Sequence, residues 1–151
     1  MKSLETEIKQ ERPFRDEYEK LLVNILYTSS WLMNINSQRL KPFGLTPQQY
    51  NVLRILRGRF PDSYSNQEIT ERMLDKSSNA TRIADKLKEK KLIERKVNKD
   101  DRRAVDIQIT EKGLNLLKAI EDSPDLLNKQ FKNISKEKAK QMNEWLDCLR
   151  R

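Results

Sequence analysis

Residues 65–110 read SNQEITERMLDKSSNATRIADKLKEKKLIERKVNKDDRRAVDIQIT, and the middle of this stretch decides the fold. Ala80, Ile83, Ala84 and Leu87 recur at i, i+3, i+4 and i+7, which predicts a helix over Lys76–Lys90 with one narrow apolar face. The opposite face carries Ser78 and Arg82, flanked by Asn79, Thr81 and Lys86. These are small hydrogen-bonding groups, one guanidinium and one amine, on a rigid rod. A DNA major groove admits a helix, and side chains of this kind read base edges there. Asp85 and Glu89 share the outer face farther along, where a phosphate-lined groove repels them, so only the first two turns are expected to enter deeply. Arg82 with Asp85, and Lys86 with Glu89, have the i, i+3 spacing of ion pairs in the free protein. Taken alone, the helix also fits an ordinary solvated face.

The flanking segments weigh against that alternative. Upstream, Ser65-Asn66-Gln67-Glu68 is a capping box that starts a first helix, with Ile69, Met73 and Leu74 expected to face inward. Ser65 and Asn66 then lie at a helix N-terminus, where free N–H groups suit a phosphate; simple capping is the competing role for Ser65. Downstream, Leu92–Val97 and Ala104–Ile109 predict a two-stranded hairpin, because Val105, Ile107 and Ile109 alternate with polar residues. Its tip, Asn98-Lys99-Asp100-Asp101-Arg102-Arg103, is too charged to be core. Arg102 and Arg103 on a projecting hairpin suit the negative potential of a minor groove. Asp101 is expected to hold an arginine in register, and Lys76, Lys86 and Lys99 to neutralise phosphates.

At 151 residues the chain is one domain's worth. Hydrophobic and charged residues each make up 36%, a lean core that shared apolar surface in a dimer would reconcile. The net charge is +8, and residues 76–103 hold eleven Lys or Arg against five Asp or Glu, so most of the excess is local. A localised positive footprint points to a polyanion, nucleic acid before a membrane surface. A lone Cys148 allows no internal disulfide, and no apolar run reaches spanning length, so a cytoplasmic location is expected.

In chain order, residues 1–12 are expected to be a frayed end or a polar helix start. A long helix follows from about Phe14 to Lys41, with Tyr18, Leu21, Leu22, Ile25, Leu32 and Ile35 on one face and Tyr27 and Trp31 to one side. It is longer than one small core requires, so a partner subunit would cover the excess. Pro42-Phe43-Gly44 breaks it. Thr46-Pro47-Gln48-Gln49 combines a cap, a proline at the first helical position and a capping-box glutamine, starting a helix to about Arg57 that buries Tyr50, Leu53 and Leu56. Arg59–Tyr64 reads as a loop. After the hairpin, Thr110 caps a helix through Leu114, Leu117 and Ile120. Ser123-Pro124 breaks it near 121–124, and Ser135 opens a last helix with Met142, Trp145, Leu146 and Leu149 on one side.

The segment Asp101-Arg102-Arg103-Ala104-Val105-Asp106-Ile107-Gln108-Ile109-Thr110-Glu111-Lys112-Gly113 resembles the wing signature of the MarR family of bacterial winged-helix regulators. Leu45-Thr46-Pro47-Gln48-Gln49-Tyr50-Asn51-Val52-Leu53 resembles that family's second helix, and Ser78-Asn79-Ala80-Thr81-Arg82 its recognition helix. The resemblance spans about residues 15–150. One departure is Lys91, where the family usually has Gly. The resemblance implies a mainly α fold with a small β-wing: an N-terminal dimerisation helix (1–44), a winged helix-turn-helix core (45–110) and C-terminal dimerisation helices (111–151). It implies a homodimeric regulator, most often a repressor, bound to a pseudo-palindromic duplex operator. The family's Asp-x-Arg pattern makes Arg103 the first choice for the minor groove and Arg102 the second. It also implies a small aromatic effector between the dimer helices and the core, with Tyr27, Trp31 and Tyr50 nearest such a crevice; packing or dimer contacts are the alternative role for these rings.

Enzymatic chemistry finds little purchase. There is no histidine, no Gly-rich phosphate loop among three glycines, and the Asp100-Asp101 pair sits on a tip that cannot exclude water, so neither catalysis nor a cofactor or metal is expected. Cys148 reads as an incidental thiol rather than a sensor. A winged-helix protein–protein module without DNA binding remains the alternative function.

Overall fold

The computed structural model describes residues 3–97, 105–124 and 126–151. Helix α1 (Leu4–Ile8) precedes the long α2 (Glu17–Leu40), which ends in a 3-10 turn at Lys41–Phe43. Then come α3 (Pro47–Arg57), β1 (Tyr64–Ser65), α4 (Asn66–Arg72), α5 (Ala80–Glu89), β2 (Ile93–Val97), β3 (Val105–Ile109), α6 (Glu111–Glu121), α7 (Leu126–Phe131) and α8 (Lys136–Leu149). The sheet is antiparallel in the order β1-β3-β2, with Ile93 opposite Ile109, Val97 opposite Val105 and Tyr64 opposite Ile107.

Side-chain caps set most helix starts. Asp16 accepts from Glu19 N at 2.8 Å, and Thr110 and Ser135 cap α6 and α8 in the same way. Thr46 and Gln49 form a reciprocal capping box, as do Ser65 and Glu68, each satisfying two backbone donors that a helix start leaves open. The break before α7 falls where Ser123-Pro124 predicts it.

One core joins the end of α2 to the winged segment. Leu40, Val52, Leu53, Leu56, Ile69, Ala84, Leu87, Ile93, Ile107, Ile109, Leu117 and Ile120 are all buried in it. Each large aliphatic side chain removed from water contributes about 1.5–3 kcal/mol. The rest of α2 and the whole of α8 lie outside this cluster and expose a row of apolar groups: Tyr18 is 82% exposed, Leu26 61% and Trp145 70%. Leu21, Ile25, Leu32, Met142, Trp145 and Leu149 line an apolar groove of about 660 Å³ between α2 and α8.

In secondary structure and burial the structure departs from the sequence reading at four places. The helix predicted from Lys76 begins at Ala80, because the Asp75 carboxylate holds Ser77 and Ser78 in a turn and Asn79 takes the cap. Leu74 is 91% exposed rather than inward, because α4 ends at Arg72 and Met73 turns to an extended backbone. Tyr64, read as the end of a loop, pairs with Ile107 and forms a third strand with Ser65. Tyr50 is half-buried rather than fully buried. The N-terminal segment takes the helical one of its two expected forms, as α1, with Leu4 buried and Glu5 Oε1 2.6 Å from Lys20 Nζ.

Candidate nucleic-acid interface

Helix α5 has two distinct faces. Ala80, Ala84 and Leu87 are buried and Ile83 half-buried, while Thr81, Arg82, Lys86 and Lys88 are exposed. The N-terminus of α5 is held by three local devices. Asn79 Oδ1 accepts from Arg82 N at 3.0 Å, which places Asn79 as the cap, exposed at the leading edge. The hydroxyls of Ser77 and Ser78 donate to Asp75 at 2.6 Å each, and these bonds hold the Asp75 carboxyl below its ordinary range. Asn66 Nδ2 donates to Thr81 Oγ1 at 2.6 Å, joining the start of α4 to the first turn of α5.

Each described residue singled out in the sequence has a definite place. Ser65 is half-buried and its hydroxyl accepts from Glu68 N at 3.2 Å, so its oxygen serves the cap. Asn66 also keeps a buried Oδ1 with no hydrogen bond among the described residues. Lys76 is exposed in the turn before α5, and Ser78 is half-buried there. Lys86 Nζ lies 3.0 Å from Glu89, the pair its spacing predicts. The other predicted pair does not form: Asp85 binds Arg95 of β2, Nη1 to Oδ1 at 2.6 Å, instead of Arg82. Arg82 is exposed, and among the described residues its guanidinium has no ion pair. Lys99, Asp101, Arg102 and Arg103 lie outside the described residues.

The three aromatic rings assigned to an effector crevice lie on α2 and α3. Tyr50 sits between two guanidiniums; its hydroxyl accepts from Arg39 Nη2 and Arg54 Nη1, both at 3.1 Å. Tyr27 and Trp31 are exposed on α2, and none of the three lines the α2–α8 groove.

Two functional positions were missed. Asp75 carried a usable signal, since Asp followed two and three residues later by Ser is a turn-forming pattern. Arg95 carried a weaker one: period-two alternation places it on the same strand face as Ile93, which is buried, and a cation on that face needs a partner.

The C-terminus of α5 closes in a hydrogen-bonded reversal. Lys91 N donates to Lys88 O at 2.8 Å and Leu92 N to Leu87 O at 3.0 Å, with Lys91 left-handed at φ 60°. From there the chain enters β2, whose hairpin partner β3 packs Ile107 and Ile109 into the core.

A two-helix unit with a polar outer face, followed directly by a β-hairpin on a three-stranded sheet, is a winged helix-turn-helix. The profile of the MarR family matches residues 45–105. The chain is 31% identical over 132 residues to the HTH-type transcriptional regulator MhqR of Bacillus subtilis, a match covering 85% of this chain and 90% of MhqR. This chain belongs to the MarR family. Its fold is similar to that of a mutant MarR from E. coli solved in complex with operator DNA, with TM-score 0.78, 21% identity and coverage of 91% and 99% of the two chains. It is also similar to CouR from Rhodococcus jostii RHA1 bound to p-coumaroyl-CoA, with TM-score 0.72, 19% identity and coverage of 90% and 95%.

Proposed function

We propose that this chain is a homodimeric, sequence-specific DNA-binding transcriptional regulator, a repressor released by a small ligand. The observation that carries the reading is Arg82: an exposed guanidinium with no ion pair among the described residues, on a helix whose opposite face is locked into the core. A bidentate guanidinium is the commonest specific reader of guanine in the major groove. Asn79, Thr81 and Ser78 stand beside it as base-edge contacts. Ser65, Asn66, Lys76 and Lys86 contact phosphates, as does Lys99, and Arg103 or Arg102 enters the minor groove with Asp101 in support.

The exposed apolar row on α2 and α8 is the surface through which two copies pair, by segments 1–44 and 111–151 flanking the winged core 45–110. Two-fold symmetry then presents two α5 helices to successive major grooves, about 34 Å apart on a pseudo-palindrome. Operator DNA is the partner of the E. coli MarR and p-coumaroyl-CoA the ligand of CouR, which supports both halves of the reading. Tyr27, Trp31 and Tyr50 are the proposed contacts of an aromatic effector, which shifts the dimer only by its differential affinity for two geometries. No described helix is long and apolar enough to cross a membrane, and a cytoplasmic, non-enzymatic role accords with the proposal.

Selection of bound duplex from a random pool, followed by titration across salt concentrations, tests this. The expected result is an enriched two-fold symmetric site whose affinity falls steeply with salt by counterion release. A dimer that enriches no sequence and shows no salt-dependent binding would instead be a winged protein–protein module.

A further inference from the structure

We propose that Lys90 is a positioning residue that ties the far end of α5 to the turn joining α2 to α3. Lys90 follows the last residue of α5 and is half-buried. Its ammonium donates to the carbonyl oxygen of Gly44 and, at 3.2 Å, to Gln49 Oε1. Gln49 is only 7% exposed, and the same Oε1 accepts from Thr46 N at 3.2 Å in the capping box that starts α3. One cation therefore donates to the side-chain oxygen of a buried amide and meets the carbonyl of a left-handed glycine, Gly44, at φ 65°.

The backbone of Lys90 is fixed from the other side. Its carbonyl accepts from Lys112 Nζ at 2.9 Å, and Thr110 Oγ1 donates to the neighbouring Lys91 carbonyl at 2.9 Å. The amine thus stands between a clamped helix end and the point where the long α2 turns into the winged core. Apolar packing between α3 and α5 is non-directional, so it resists separation more than rotation or sliding. A charged hydrogen bond to two acceptors, one in the turn after α2 and one in the first turn of α3, has direction, and it fixes the register of α5 against the end of α2. A change in how α2 is held therefore reaches the polar face of α5 through Lys90. The consequence for DNA rests on the DNA-binding reading above; the mechanical link does not.

Hydrogen–deuterium exchange on the full-length protein without DNA reads the link itself. Lys90→Met keeps the aliphatic stem and removes the donor. It is expected to raise exchange at residues 41–49 as well as at 87–92, and Lys90→Arg, which keeps a donor, to restore protection at both. A rise confined to 87–92, or none, overturns the proposal. Titration of a duplex selected from a random pool then reads the consequence. Specific affinity is expected to fall about 5- to 20-fold, in the range of ordinary coupling between sites. Affinity for random-sequence duplex and the salt slope stay unchanged. A slope lower by about one, with both affinities reduced alike, makes Lys90 a phosphate contact and overturns the positioning role. A wild-type protein that selects no duplex removes the DNA-binding reading and leaves the exchange result to decide the link alone.

Discussion

Arg95 Nη1 stands 2.6 Å from Asp85 Oδ1, joining strand β2 to the outer side of α5. Arg95 Nη2 also reaches the Thr81 carbonyl at 3.4 Å, so one side chain spans more than a turn of the helix. The Arg95 side chain is 23% exposed and that of Asp85 49%, so solvent screens the pair from the aspartate side. A double-mutant cycle with Asp85→Ala and Arg95→Ala is expected to give a coupling of about 0.5–1 kcal/mol in urea denaturation, the upper part of the range for exposed pairs. The pair also takes Asp85, the acidic residue three positions on, away from Arg82, as an outward reader requires. A coupling indistinguishable from zero would show that hairpin and helix are held by packing alone.

The parts of this fold that were legible in the sequence are the local ones. Thr46 with Gln49 and Ser65 with Glu68 are three residues apart, so their capping boxes are decided by neighbours and both form. Proline at 124 acts through its own missing N–H, and the helix stops before it. The parts that were not legible depend on groups distant in the chain or on competition between two local options. Tyr64–Ser65 is too short to show a period, and its strand character comes only from pairing with Ile107 and Asp106. Lys76-Ser77-Ser78 was compatible with helix until the Asp75 carboxylate took the serine hydroxyls. Asp85 had a local partner at i−3 and a distant one in Arg95, and the distant one won because the core fixes strand and helix side by side. For the site, the exposed face of α5 was readable from its period, while the arrangement of Tyr27, Trp31 and Tyr50 depended on how α2 crosses α3.

Lys91 holds a left-handed conformation at φ 60° in the reversal that ends α5. A side chain there meets its own backbone, at a cost of about 1–2 kcal/mol that glycine avoids. Glycine returns part of that through a more flexible unfolded chain, about 0.4–1 kcal/mol. Lys91→Gly is therefore expected to stabilise the protein by about 0.5–1 kcal/mol, seen as a higher urea midpoint at unchanged slope. A lower midpoint would mean that the Lys91 side chain contributes more than its backbone strain removes.

Gly113 is required for the opposite reason, that of space. A Cβ there would lie 2.4 Å from the Leu92 carbonyl oxygen and 2.7 Å from Ile109 Cγ1. One of these is backbone in the link from α5 to β2, so relief requires α6 to move away from the sheet. Gly113→Ala is expected to destabilise by about 1–3 kcal/mol, the range of overpacked cores, despite the better helix propensity of alanine. Thermal melting checks this; an unchanged or raised midpoint would place α6 farther from the sheet than the structure has it.

Glu5 gives the N-terminal helix a pH dependence. The hydrogen bond from the Lys20 ammonium, helped by a backbone hydrogen bond, pulls its carboxyl from 4.5 down to about 2. A depressed carboxylate stabilises the folded state fully above its unfolded value, and the contribution is lost as pH falls through the folded one. Docking of α1 on α2 is thus expected to be constant above about pH 4.5 and to weaken between there and about 2. Carbon-detected NMR titration of the Glu5 carboxyl should show a midpoint well below the ordinary value, and Glu5→Gln should abolish the dependence. A midpoint near 4.5 would show that the pair does not persist in solution.

Arg82 is the residue on which DNA recognition depends most sharply, and the choice of substitution separates its possible roles. It is exposed on α5, so Arg82→Ala should leave stability within about 0.5 kcal/mol of wild type. Specific affinity for a selected duplex should fall by about 1–3 kcal/mol, with discrimination relaxed at one base pair in each half-site. Arg82→Lys keeps the charge but loses the planar fork that engages two acceptors on a base edge. It is therefore expected to preserve affinity for random-sequence duplex and the salt slope while recovering little of the lost discrimination. If lysine restores discrimination in full, Arg82 acts as a point charge on phosphate, and base reading passes to Asn79 and Thr81 at the leading edge of the same helix.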